Sequence, residues 1–479
     1  MTFNFILVNF KAEERFNCVQ LLREKIMKKP STLFALFLII IFPVFSQTTI
    51  VRRDTVIEKM IQEVSRNRIE QNIQKLVSFH TRHDLSEQNN PDQGIGAAWN
   101  WVRAEMEKSI PQSNGRLTVA FDNYTAGGKG ERLSHQTRLR NVIATLKGTD
   151  PDDNRIFLVS AHIDSRADND LDSTSFAPGA NDDGSGVAAV LEMVRIMSKY
   201  EFPATIVFTV VSGEEQGLYG STHLAEKAKE EHWNLVAMLN NDMIGNSGSS
   251  GTLIHDNTRV RVFSEGIPAY ETEQMARMRT YTSGENDGKA RQLARYIKEV
   301  GERYVDQLEV VLIYRNDRFM RGGDQTPFCR LGFTAVRITE YDENYNRTHK
   351  IPRIENGIQF GDLPDYVDFE YVRKNTGINI ATLANLASAP CQPEKVGIDI
   401  SKLTNFSSLS WDAPKQGKHP AGYYVLIRET WQPVWEKKIF TSDTHITIPY
   451  SKDNYFFAVQ SVDAQGHESL PVFPYPVRK

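Results

Sequence analysis

Cysteine is scarce, with three in 479 residues, too few to hold a chain of this length by disulfide staples. Cys18 falls in a segment expected to be lost or never made. The other two, Cys329 and Cys391, can form one bridge or stay as separate thiols, and neither has the spacing of a metal clip. Positive charge is not in excess either. A formal net charge of -4 leaves no basic footprint for nucleic acid. Internal repeats and low-complexity tracts are absent. The apolar run from Leu33 to Phe45 is too short to span a bilayer, but after Lys28 and Lys29 it suits the core of a signal peptide. Cleavage is expected after Ser46, and the next residue is Gln47 rather than Cys, which argues against a lipid anchor. The chain is therefore expected to be exported, to periplasm or medium, with no stable membrane anchor after cleavage. The mixed, charged stretch before Met27 does not read as the start of a signal sequence, which makes Met27 an alternative first residue.

What is present is ordinary for a soluble globular protein: 40% hydrophobic and 24% charged residues, in a length that suits two or three domains. Residues 48–86 carry helical periodicity. From there to about Ala389, strand-like runs (NVIATLKG, RIFLVSAH, TIVFTVVS, LVAMLNND) alternate with helical ones (GVAAVLEMVRIMSKY, YGSTHLAEKAKEE). This alternation predicts an α/β fold, a three-layer sandwich with helices on both faces of a mostly parallel sheet. After a linker at 390–395, residues 396–479 show short alternating runs broken by Pro, Gly and Asp, the pattern of a small all-β sandwich. The boundaries expected are thus 1–46 for the N-terminal extension and signal, 47–389 for the α/β domain and 396–479 for the β domain.

Several acidic and imidazole side chains stand just past the apolar runs. In a parallel sheet such positions converge outside the carboxyl ends of the strands. His162 in SAHIDS is a candidate nitrogen ligand, and Asp164, two residues on, points the same way in an extended chain and can accept from the other ring nitrogen. GANDDGSG is a polar turn leading into a helix. One Asp there would serve as a cap, but the density of acids points further. A carboxylate has two oxygens and can bridge two divalent ions about 3.5–4 Å apart, which makes Asp182 the natural bridge and Asp183 a shaper of the turn. In SGEEQG the adjacent Glu214 and Glu215 can take different tasks, a general base near the metals and a ligand. Asp242 in NNDMIG follows the next strand. His349 in YNRTHK is the least marked, and its case rests on the need for a second nitrogen ligand. Asp324 in GGDQTPF reads more readily as a turn residue than as part of the pocket.

The set HxD, GxNDDGSG, GEE, NxDM and a late His resembles the co-catalytic di-zinc exopeptidases. These include bacterial leucyl-type aminopeptidases, plasma glutamate carboxypeptidase and transferrin-receptor-like chains. The resemblance spans about Thr48 to Ala389. It implies two Zn2+ per chain, one held by His162 and Asp242, the other by Glu215 and His349, with Asp182 bridging and Glu214 as general base. It further implies an aminopeptidase acting on peptides, with a dipeptidase or carboxypeptidase as the nearest alternative. A glutaminyl-cyclase-like transferase would carry one zinc and a different bridging turn. A receptor-like homologue without activity would have lost ligands that are all present here.

The region from Gly245 to Phe328 departs from the compact pattern and is expected to sit over the carboxyl edge of the sheet and shape the pocket. The C-terminal part resembles a fibronectin type III domain, with Trp411 early, Tyr423 and Tyr424 opening a strand and YFFAVQSVDA as a late one. Such a module is expected to serve attachment or spacing, with a partner the sequence does not name.

Overall fold

The structure, a computed structural model, describes Val51 and residues 53–478. The expected signal segment, the cleavage after Ser46 and the alternative start at Met27 lie outside the described residues. Helices α1 (Thr55–Gln62), α2 (Arg66–Val77) and α3 (Gly94–Glu107) come first, then strands β1 (Leu117–Ala126), β2 (Thr137–Leu146) and β3 (Arg155–His162). Next are α4 (Gly184–Met197), β4 (Thr205–Val211), the single turn α5 (Glu214–Gly217), α6 (Tyr219–Glu230), β5 (Asn234–Asn241) and β6 (Arg259–Ser264). There follow α7 (Glu273–Thr282), α8 (Lys289–Tyr304), β7 (Glu309–Ile313), α9 (Gln325–Arg330), β8 (Ala335–Glu340), β9 (Arg353–Glu355), β10 (Ile358–Phe360) and α10 (Phe369–Ser388). The helical periodicity at 48–86 resolves into two helices, because Asp54 and Ser65 each cap a start, accepting from the amides of Val56 and Arg68.

Eight strands form one sheet in the order β1-β2-β4-β3-β5-β8-β6-β7. Its centre, β4-β3-β5-β8, is parallel, flanked by antiparallel pairs. The central strands are apolar throughout because both faces are covered. Phe157, Val159 and Ala161 of β3 join the large core under α4 and α10, while Leu158 joins a smaller core with Leu224, Ala225, Phe328 and Cys329 of α6 and α9. Since β3, β4, β5 and β8 run the same way, His162, Glu214, Asp242 and the loop bearing His349 all leave the sheet at one edge.

The region 245–328 does more than overhang that edge. Its strands β6 and β7 extend the sheet, β6 pairing antiparallel with β8. Cys329 and Cys391 are separate thiols rather than a disulfide.

The remaining strands are β11 (Glu394–Asp399), β12 (Ser407–Asp412), β13 (Gly422–Glu429), β14 (Lys437–Thr441), β15 (His445–Ile448), β16 (Tyr455–Val462) and β17 (Tyr475–Val477). They make two small sheets, β15-β12-β11-β17 and β14-β13-β16. Val396, Trp411, Tyr423, Val425 and Phe457 fill the space between them. Trp411 meets Tyr423 edge-on with ring centroids 5.3 Å apart. The β sandwich is fastened to α8 by buried charge. Asp287 lies 3.1 Å from Arg295 and 2.6 Å from Arg428, and Glu468 lies 2.7 Å from Arg303 and 3.2 Å from Lys438. Among the described residues no helix is long and apolar enough to cross a membrane.

His467, just past β16, ties the sandwich to the start of α1. Its Nδ1 is 2.8 Å from Asp463 and its Nε2 2.7 Å from Asp54, while Lys418 stands 2.7 Å from the same Asp463 carboxylate. Burial alone would lower the imidazole, but Asp463 and then Asp54 outweigh it and hold it above its ordinary value. A raised folded-state pKa contributes stability that is full below the unfolded value of about 6.5 and is lost as pH rises through the folded one. The stability advantage of the native chain over His467→Gln should therefore shrink as pH rises above about 6.5 in denaturant titrations. A pH-independent difference would show that the imidazole titrates alike in the folded and unfolded chains.

Candidate metal centre

Each candidate side chain is delivered by a chain reversal at the sheet edge. His162 is the last residue of β3, and Asp242 directly follows β5. Glu214 and Glu215 open α5 after Gly213, whose φ of +79° favours glycine because it has no Cβ to clash. Asp182 and Asp183, joined by a cis peptide, precede α4. That helix starts close to the sheet, for a Cβ on Gly186 would collide with the backbone carbonyl of Asn241 in β5 as well as with the Asp183 carboxylate. His349 sits in the loop between β8 and β9.

These residues gather into two adjoining sets of donors: His162, Asp182 and Asp242, and Asp182, Glu215 and His349. The carboxylate of Asp182 belongs to both. Its Oδ1 is 3.2 Å from His162 Nε2, and its Oδ2 is 2.9 Å from His349 Nε2. His162 Nε2 is 3.8 Å from Asp242 Oδ1, and His349 Nε2 is 2.8 Å from Glu215 Oε1. Donors bound tetrahedrally to zinc at about 2.0–2.1 Å would stand about 3.3 Å apart, and these separations bracket that value.

The hydrogen-bond balance points the same way. His162 Nε2, Glu215 Oε1 and Asp242 Oδ2 are buried and make no hydrogen bond, although polar atoms crowd them. Buried polar groups without partners are costly, and close approach without hydrogen-bond geometry is what a shared cation would produce. The donor set, carboxylate oxygens and imidazole nitrogens, suits zinc. Burial would lower the His349 imidazole, but Glu215 and Asp182 push it up to about 10. Burial would raise the Asp242 carboxyl, but Arg337 and His162 hold it below the usual carboxylate range.

Asp164 stands behind the donors. Its carboxylate accepts from the amides of Glu214 at 3.3 Å and Glu215 at 2.9 Å. It lies 3.7 Å from His162 Nδ1, whose contact at hydrogen-bond distance is instead the Asp164 carbonyl at 3.1 Å. Asp164 thus sets the position of both glutamates. Glu214 belongs to neither donor set, yet it lines the same pocket, of about 760 Å³, as Asp182, Glu215, Asp242 and His349. Burial, reinforced by Asp242 and Glu215, pushes its carboxyl well above the ordinary range against the opposing pull of His162. Asp324 is buried at the head of α9 and is not part of the pocket wall. Burial pushes it up to about 7.

Four supporting residues carry no local mark in the sequence. Arg337 of β8 is fully buried, 2.9 Å from Asp242 and 3.3 Å from Asp317. Asp362 accepts from the amides of Asn181 and Asp182, the latter at 2.7 Å. Glu340 accepts from the Asn181 side chain at 2.8 Å. Arg82, buried, donates to the carbonyls of Ile163, Pro178 and Gly179. Asp183 accepts from the amides of His162, Gly186 and Met243, which ties three segments of the site together. Of the five, Asp183 alone is marked in the sequence, by the acid density of GANDDGSG.

Fold and site together define an α/β protein with two adjoining donor sets at the carboxyl edge of a parallel sheet. The comparisons with known proteins go one step further. Residues 141–352 match the model of peptidase family M28. A probable zinc metalloprotease of Leptosphaeria maculans is 42% identical over 422 residues, covering 88% of this chain and 97% of that protein. One of Pyrenophora tritici-repentis is 41% identical over 432 residues, covering 88% and 98%. The chain belongs to peptidase family M28. The crystal structure of LapA from Legionella superposes with a TM-score of 0.51 at 18% identity, covering 71% of this chain and 78% of that one, a likeness of fold.

Proposed function

We propose that this chain is an exported, zinc-dependent exopeptidase that removes the N-terminal residue of peptides, using two zinc ions. The observation that carries this reading is the Asp182 carboxylate, whose two oxygens face two separate imidazoles, with Glu214 beside it in the pocket and outside both donor sets. His162 and Asp242 would hold one zinc, Glu215 and His349 the other, and Asp182 would span both. The ions, when bound, would acidify a shared water and polarise the scissile carbonyl. Glu214 takes the proton of the attacking water on its carboxylate and returns it to the leaving amine. Burial suits it to this, since a carboxyl with a raised pKa holds a proton better than an exposed one. Asp164 keeps Glu214 and Glu215 in register through their backbone amides. Arg337 offsets part of the negative charge of Asp242.

Export rests on the run Leu33–Phe45 after Lys28 and Lys29. The boundary between peptidase and β domains is placed at 390–395, and the β domain is read as a fibronectin type III-like module. The test is an assay of the purified chain on matched peptides with free and blocked N-termini, before and after chelation. Cleavage of free substrates only, abolished by the chelator and restored by zinc, is the expected result. Equal cleavage of blocked and free substrates would remove the aminopeptidase assignment, and a requirement for a free C-terminus would favour a carboxypeptidase.

A further inference from the structure

The pocket that holds the donor sets has a second wall of opposite character. Arg132, Arg166, Arg318, Arg321 and Lys350 line it, while outside the donor sets and Glu214 only two carboxylates, Asp168 and Glu343, do so. Both of these are already engaged. Asp168 lies 3.3 Å from Lys350 and 2.9 Å from Arg353. Glu343 lies 2.8 Å from Arg261 and 3.0 Å from Arg321. Arg166 is the least satisfied of the cations. Its side chain is 16% exposed, its nearest carboxylate is Asp170 at 3.7 Å, and its Nε is buried with no hydrogen-bond partner. Arg132 donates to the Glu215 carbonyl at 2.9 Å, which places this wall directly beside the donors.

The charge balance decides what the wall is for. Asp182, Glu214, Glu215 and Asp242 together carry four negative charges, which two divalent ions would neutralise. With the metals in place, the donor carboxylates no longer offset the cationic wall, and Arg132 and Arg166 are left with Asp170 alone, 3.9 and 3.7 Å away. A half-buried guanidinium with an unpartnered nitrogen in a concave pocket favours a bidentate anion, and the converging charges raise the local concentration of one. Resting on the zinc-peptidase reading, we infer that this wall binds a carboxylate of the substrate, with Arg166 as the specificity-determining contact and Arg132 and Lys350 supplying the field. That carboxylate belongs either to an acidic N-terminal side chain or to the C-terminus of a short peptide.

The test uses the zinc-loaded full chain and two matched substrate pairs. One pair is the anilides of glutamate and glutamine, which differ only in a side-chain carboxylate. The other is a neutral dipeptide with a free or an amidated C-terminus. The charged member of at least one pair is expected to be favoured in kcat/KM by about 10- to 100-fold, and the pair that shows it identifies the source of the carboxylate. Arg166→Gln should bring that preference close to unity and Arg166→Lys should restore part of it, with thermal melting confirming that each variant is folded. If Arg166→Gln does not fold, Arg132→Gln and Lys350→Gln should each reduce the preference and weaken its dependence on ionic strength. Equal rates within both pairs, or a preference untouched by these substitutions, overturn the inference and leave the peptidase reading standing. Turnover of no peptide or anilide at all overturns both.

Discussion

Glu214→Gln is expected to retain both metals while kcat falls by about 10²–10⁴-fold, the range for loss of a general base. Glutamine keeps the shape and polarity of the side chain but cannot take up a proton. Because Glu214 belongs to neither donor set, metal content should not change. Glu215→Gln is the contrasting case. Glu215 is a donor 2.8 Å from His349, so its replacement should release metal as well as activity. Metal analysis and single-turnover rates on the two variants separate these roles. A Glu214→Gln protein with native turnover would remove Glu214 from the chemistry, and one that lost its metals would make it a ligand.

The largest expected effect on stability lies away from the site. Asp287→Ala should cost about 3–5 kcal/mol, because it leaves two buried guanidiniums without their counter-charge. Asp287 is buried between Arg295 of α8 and Arg428 of β13, and it accepts from both. Joint replacement of all three by apolar residues of similar size should cost much less, since no charge is then stranded. Denaturant midpoints of the two variants measure the difference. A loss under about 1 kcal/mol for Asp287→Ala would mean that water reaches the triad and screens it. The same triad bears on the β sandwich, which the sequence reads as an attachment or spacing module. In the structure its strand β13 is fixed to the α/β domain by buried ion pairs.

The site was legible in the sequence wherever a side chain directly follows a central strand. His162, Glu214, Glu215 and Asp242 each stand at the end of an apolar run, and in a parallel sheet those ends meet at one edge. His349 had no such mark. Its place in a loop after β8 followed only from the need for a second nitrogen donor. Arg337, Asp362, Glu340 and Arg82 were not visible, because each acts through a partner far along the chain, 180 residues in the case of Asp182 and Asp362. The same reason explains the region 245–328. The pairing of β6 with β8 depends on long-range register that local pattern does not carry. Cys329 packs into the smaller core from α9 while Cys391 lies past the end of α10, a separation of the two thiols that spacing alone could not reveal.

Titration of the metal-free chain with zinc, followed by elemental analysis and by activity, tests the bridged pair most directly. The account predicts two equivalents per chain, activity that appears only as they fill, and about one equivalent after His349→Ala. A single equivalent in the fully active native chain, or activity with none, would contradict it.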